Sequence, residues 1–186
     1  MKCLWQGIAI FSGVTLLLGA EPAVKPFKWE APKVQASIFS QNLGLLDTER
    51  DQYATDLAID ASNRVALGRA SAGSLVEARR SLALALQLSP RNKRAVVVNF
   101  QLSKGLVPEV TDPNYNSLVL ARLILTRGQL LEKQGGDENQ CLARYFIQLS
   151  AELDPKNEDA VYASELQRLD HGSVDWSALA EPKVKP

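Results

Sequence analysis

The chain has few of the residues that most often carry chemistry. Its 186 residues include two cysteines, Cys3 and Cys141, and a single histidine, His171. One histidine and one distant cysteine fit no metal-ligand spacing. The sequence also lacks a phosphate-binding glycine loop and offers no nucleophilic triad. These absences predict a protein that is not an enzyme and that uses no metal and no cofactor.

An excess of charge of either sign is also missing. The 21 lysines and arginines balance 21 aspartates and glutamates, so no net field attracts the chain to nucleic acid or to an anionic membrane. The predicted partner is therefore a protein or peptide, and not a nucleic acid. Hydrophobic residues make up 46% of the chain, which is enough for one ordinary domain with tails.

The N-terminal residues differ from the rest. Lys2 is the only charge before Glu21, and residues 4–18 are apolar or small apart from Gln6, followed by Gly19 and Ala20. This layout is typical of a secretory signal peptide, and an uncharged run of about 17 residues is shorter than the roughly 20 of a membrane span. We expect residues 1–20 to be removed, which leaves an exported, periplasmic or secreted protein without a stable span. An uncleaved anchor is the alternative.

Removal of that segment leaves Cys141 as the remaining cysteine, so no intramolecular disulfide is expected. Cys141 is interpreted as a small buried side chain in preference to a reactive thiol. Residues 21–46 contain prolines that discourage a continuous helix, and they predict an extended arm. Phe27 and Trp29 lie two apart in it and would face the same way in extended chain. The arm either docks in a groove, its own or a neighbour's, or is a loosely ordered tail.

Helix start and stop signals become regular from residue 47. A first helix is predicted to open at Asp47 or Thr48 and to run to about residue 72. A second helix begins with a capping box from Ser74 to Glu77 and stops at Ser89 and Pro90. A third is capped by Asn92 and ends near residue 105.

The second half repeats this punctuation. A fourth helix is predicted to open between Pro113 and Ser117 and to end by residues 135–136. A fifth starts with a box-like run at residues 137–140 and stops at residues 154–155. The last is opened by Asn157 and runs to about Asp170. His171 should be exposed at its end.

An internal repeat relates the two halves. At an offset of 65 residues, Ala78 and Arg79 align with Ala143 and Arg144. Five further pairs match, namely Leu88 with Leu153, Pro90 with Pro155, Asn92 with Asn157, Ala95 with Ala160, and Val96 with Val161. Since this offset is close to twice the roughly 34 residues of a helix-turn-helix repeat, the chain is predicted to form a short stack of helical hairpins.

The repeat resembles a tetratricopeptide repeat (TPR). The matching residues are Gly73, Ala78, Leu82, Ala85, Leu88, Pro90 and Asn92 in one unit, and Gly135, Ala143, Ile147, Ser150, Leu153, Asp154, Pro155 and Asn157 in the other. The first helix of each unit matches less well, because Ser62 and Arg69 stand where the family usually has large aromatic residues. The resemblance implies an all-α fold, a TPR-like α-solenoid of about six antiparallel helices over residues 47–172. Residues 173–186 would form a C-terminal cap, with Trp176 over the exposed end of the stack, and a flexible tail.

In this family the concave surface of the stack holds a peptide or another protein. The resemblance places five residues on that surface, namely Asn63, Arg94, Val97, Gln101 and Lys104. The expected function is a non-catalytic exported scaffold, and the basic groups could hold a partner's carboxylate. The alternative is a structural subunit of a cell-envelope assembly that self-associates through its N-terminal arm. Asp56 and Asp60, one helical turn apart, are interpreted as part of a solvated helix face.

Overall fold

The described part of the computed structural model comprises residues 26–34, 37–40, 43–110 and 115–181. The predicted signal peptide lies outside these ranges. The described residues form helices and no strand, which confirms the all-α fold class. There are seven helices where about six were predicted, since a short one follows residue 172. They are α1 (Asp47–Leu67), α2 (Ala72–Leu88), α3 (Lys93–Ser103), α4 (Ser117–Gln134), α5 (Asp137–Leu153), α6 (Glu158–His171) and α7 (Trp176–Ala180).

Asparagine caps open the third and sixth helices, as predicted. The side chain of Asn92 accepts a hydrogen bond from the Ala95 N–H at 3.0 Å, and Asn157 does the same for Ala160 at 3.2 Å. In each case the side chain satisfies a backbone donor that has no partner within the helix. The third and sixth helices therefore begin where the repeat places them.

The predicted start of α2 was wrong, whereas α5 begins at Asp137, within the predicted run. Ser71 caps α2 by accepting from the Ser74 N–H, so the helix begins at Ala72 and Gly73 lies inside it. The preceding helix ends at Leu67, because Arg69 and Ala70 take left-handed φ values of 50° and 51° that cannot continue it. At α5 the cap is Gly136, and no side chain caps the helix.

Helices α1 and α2 form a hairpin and α3 packs against both, mainly against α1, while α4 and α5 form a second hairpin with α6 against α5. The small repeat residues Ala78, Ala85, Ala143 and Ser150 are all fully buried, which permits close helix packing. Gly128 of α4 contributes to the same effect, since a Cβ there would lie 2.8 Å from Ile147 Cγ1 of α5.

The two three-helix units meet through side chains. Arg127 of α4 donates to Glu49 at the start of α1 (2.9 Å), while Tyr115, just before α4, donates to Asp60 further along α1 (3.3 Å). These contacts occur in opposite order along the two helices, so α4 runs antiparallel to α1. The all-α class is thus confirmed, and the predicted solenoid arrangement is not.

The N-terminal arm docks on its own chain. Phe39, Leu43 and Leu45 are buried in the common core. Trp29 Nε1 donates to Asn99 of α3 at 2.9 Å, and Gly44 N donates to Asn139 of α5 at 2.8 Å. The described arm thus contacts both three-helix units.

The short helix α7 packs against α2. Its Trp176 ring lies edge-on to Tyr145 of α5, with centroids 5.2 Å apart, and beneath the guanidinium of Arg80 of α2. Trp176 therefore lies between the two hairpins and does not cover the outer end at α6, where Tyr162 and Leu169 are 71% and 73% exposed. No helix among the described residues has the length and apolar character needed to cross a membrane.

Candidate functional site

The outer face of α3 is an exposed apolar surface. Ala95, Val98 and Leu102 bury the inner face of this helix. On the other side Val96, Val97 and Phe100 are 47%, 40% and 60% exposed. Since Val96 and Phe100 are four residues apart and Val97 and Phe100 are three, these side chains are neighbours on one surface.

Basic residues border this apolar surface. Lys93 lies four residues before Val97, and Lys104 lies four residues after Phe100, with its Nζ 5.4 Å from the centre of the Phe100 ring. Both lysines are exposed. We call this surface, made of Lys93, Val96, Val97, Phe100 and Lys104, the α3 face.

The position of its positive charge opposes helix stability. Lys93 and Arg94 lie in the first turn of α3, which contains no acidic residue. The partial positive charge of a helix N-terminus disfavours cations there. Sequences break such local rules most often at functional sites.

The structure separates the five predicted partner-binding residues. Val97 and Lys104 are exposed, and Arg94 and Gln101 are half-buried on the same helix. Asn63 is a correction, because it is only 8% exposed. The connection between α3 and α4 passes over this part of α1, where Ser62 Oγ donates to the Glu109 carbonyl at 3.3 Å. Asn63 is therefore largely covered, and it lines a separate pocket of about 310 Å³ with Arg64 and Tyr115, away from the exposed residues of α3.

Phe100 belongs to the α3 face and was not among the predicted residues. Its spacing of three from Val97 and four from Lys104 was the available signal. Asp60 was also misjudged as solvated, since it is 2% exposed. Its Oδ2 atom accepts from Arg64 Nε at 2.7 Å and from Ser81 Oγ at 3.1 Å. Burial raises the pKa of this carboxyl group, and the Arg64 guanidinium opposes that shift.

A cavity of about 500 Å³ is lined by Cys141 and His171, the two side chains best suited to nucleophilic or acid–base chemistry. It lies beside α5 and the end of α6, and its lining includes Cys141, Arg144 and His171. His171 is exposed, as expected, whereas Cys141 is half-buried and not the buried side chain that was predicted. Burial raises the pKa of the Cys141 thiol, which reduces the thiolate fraction that a nucleophile requires.

The polar groups of that cavity already serve the fold. Arg144 Nη2 donates to the carbonyl groups of His171 and Gly172, at 3.2 and 2.9 Å. Tyr145 donates to the Asp175 carbonyl at 2.8 Å, and burial raises its pKa to about 12. Arg144 and Tyr145 therefore hold the segment after α6 in place. Within the described ranges, no group of three or more His, Cys, Asp or Glu side chains is placed to hold a metal ion.

The geometry thus offers two surfaces of different character, the basic and apolar α3 face and the cavity beside α6. Comparison with protein families finds no matching family model, and comparisons with curated proteins and with solved structures find no match either.

Proposed function

We propose that the chain is an exported, non-catalytic scaffold of TPR-like helical hairpins that binds a protein or peptide through the α3 face. The observation that carries the proposal is the exposed apolar surface with basic residues at both ends. Apolar area contributes affinity, while the lysines select a partner that carries carboxylates. The apolar N-terminal segment of the sequence supports export.

Site-specific photo-crosslinking in intact cells tests this proposal. The crosslinking residue replaces Val97 or Phe100 on the α3 face, and replaces Leu130 of α4 in the control, since Leu130 is 43% exposed and also apolar. We expect a defined crosslinked species from the α3 positions alone. The same pattern at Leu130, or no capture at all, would contradict binding at this face.

Charge reversal tests the chemistry of the partner. Lys93→Glu combined with Lys104→Glu should weaken capture at Val97. Lys133→Glu, at an exposed position of α4, should leave it unchanged. Equal capture by both variants would remove the lysines from the proposal.

The structural-subunit alternative assigns the N-terminal arm to a neighbouring copy. The arm would first have to leave its own chain, where Arg50 donates to the carbonyl groups of Ser40 and Phe39 at 3.0 and 3.3 Å. Deletion of residues 26–34 tests this alternative, because it predicts that self-association is lost with the arm. Self-association that survives the deletion would count against it.

A further inference from the structure

The third helix of each repeat unit is covered on one side only. α3 and α6 are equivalent at the offset of 65 residues, and each is the last long helix of its unit. In α6 the exposed apolar residues are Val161, at 37% exposure, and Tyr162, Leu166 and Leu169, at 71%, 45% and 73%. Helical repeats bury such faces against a following unit or under a polar cap. Among the described residues no further helix covers either face.

The two equivalent faces carry opposite charges. Lys93 and Arg94 open α3, whereas Glu158 and Asp159 occupy the same positions at the start of α6. The whole of α3 contains no acidic residue, while α6 contains four acidic residues and one arginine. Glu158 lies four residues before Tyr162, as Lys93 lies four before Val97, so the two apolar surfaces have opposite charges at their N-terminal ends. At the position of Lys104, α6 has Leu169.

We propose that the α3 face of one copy binds the outer face of α6, made of Glu158, Asp159, Tyr162, Leu166 and Leu169, on a second copy. This inference rests on the proposed function, since it names the partner of the α3 face. The opposite charges and the paired apolar stripes make the two surfaces complementary. Acidic groups of the second copy would offset the unfavourable interaction of Lys93 and Arg94 with the α3 dipole.

Such an interface joins two different surfaces. Each copy therefore keeps one unused α3 face and one unused α6 face, and addition of further copies closes a ring or extends a filament. The mass in solution should rise continuously with protein concentration unless a ring closes. It should fall with added salt, because salt screens exposed charges.

Sedimentation velocity of the purified protein over a concentration series tests the proposal with two charge-reversed variants. Lys93→Glu with Lys104→Glu makes both faces acidic, and Glu158→Lys with Asp159→Lys makes both faces basic. Each variant alone should associate at least about tenfold more weakly than the wild type. An equimolar mixture should recover association, because each face of one variant then meets an oppositely charged face of the other.

In the first variant a carboxylate at position 93 suits the helix N-terminus, whereas one at position 104, the C-cap, opposes the helix dipole, so circular dichroism must show unchanged helix content. Tyr162→Ser provides an independent variant and should weaken association without a change in helix content by circular dichroism. A wild-type protein that stays monomeric throughout, or a mixture that fails to recover association, would overturn the proposal. If the wild type is monomeric while Val97 still crosslinks to another protein, the proposed function stands and self-association through these faces does not.

Discussion

At the residue scale, the buried Asp60 carboxylate binds the C-terminal end of the α3–α4 connection, since it accepts a 3.3 Å hydrogen bond from Tyr115. Ser81 of α2 is 1% exposed and donates to the Asp60 carboxylate. Ser81→Ala should lower the free energy of unfolding by about 2 kcal/mol, because a hydrogen bond to a charged group is lost. Urea unfolding measures the change. Ser103→Ala on exposed α3 is the control, and we expect about 0.5 kcal/mol or less there.

The pH dependence of that penalty follows from the raised pKa of Asp60. The pKa of Asp60 is higher in the folded than in the unfolded protein, so its protonation favours the folded state. This contribution to the free energy of unfolding is complete below the unfolded pKa, and it is lost as the pH rises through the folded pKa. The Ser81 hydroxyl stabilises the charged form and so opposes this loss. The Ser81→Ala penalty should therefore be present at neutral pH and disappear in acid. An equal penalty under both conditions would show that Ser81 does not act through the carboxylate.

At the element scale, two helical glycines test the packing of the hairpins. A Cβ at Gly128 would lie 2.8 Å from Ile147 Cγ1 and 3.3 Å from the Ala143 carbonyl oxygen, while a Cβ at Gly73 meets nothing within 4 Å. Gly128→Ala should destabilise the protein by about 1–3 kcal/mol through overpacking. Gly73→Ala should stabilise it by about 0.5 kcal/mol. Thermal unfolding of both variants measures these opposite signs, and equal signs would contradict the close approach of α4 and α5.

The arm offers a second test at this scale. Gln87 is fully buried, donates to the Leu179 carbonyl at 2.8 Å, and accepts from the Ile38 N–H at 2.8 Å. Gln87→Leu leaves both backbone groups without this partner and should cost about 3 kcal/mol. Trypsin should then cleave more rapidly at Lys33 of the arm. Gln148→Leu, at a half-buried position, is the control. Equally rapid cleavage at Lys33 in that variant would contradict a specific role for Gln87.

Local sequence signals predicted most of the helices, but they could not predict contacts between residues that are distant in the sequence. Asn92 and Asn157 cap helices within three residues, so their roles could be inferred from the sequence. The start of α2 could not be chosen in this way, because Ser71 and Ser74 are both suitable caps. The environment of Asp60 depends on Ser81 and Tyr115, which lie 21 and 55 residues away. No local pattern brings those residues together.

The same limit applies to the candidate site. The repeat placed the α3 residues on one helix, and Val97 and Lys104 are exposed there. The burial of Asn63 depends on the path of the connection after α3, which carries no regular helix signal between residues 104 and 110. The repeat predicted that α4 would continue a regular stack, but the long α3–α4 connection also permits other arrangements of α4.

At the scale of the whole molecule, the main hydrophobic core of the described residues is shared by both units, and a smaller cluster of Leu125, Ile147 and Ala160 lies within α4, α5 and α6. The rings of Tyr53 in α1 and Phe146 in α5 lie 5.3 Å apart, and Phe146 is fully buried. Arg127 of α4 adds a 2.6 Å hydrogen bond to the Gly44 carbonyl of the arm. The units of a repeat array can unfold separately when the contacts between them are weak, whereas a core that both units share couples their unfolding.

Phe146→Ala should therefore destabilise both units together. The loss of a buried aromatic ring lowers the free energy of unfolding by about 3–5 kcal/mol. If the core is shared, both units should lose this stability. Native-state hydrogen exchange can resolve this, because the slowest amides in α1 and α2 should lose as much protection as those in α4 and α5. Val161→Ala, at a partly exposed site on α6, serves as the control and should change neither unit. Protection lost only in α4 and α5 would mean that the two units are energetically independent, and that the contacts between them contribute little to stability.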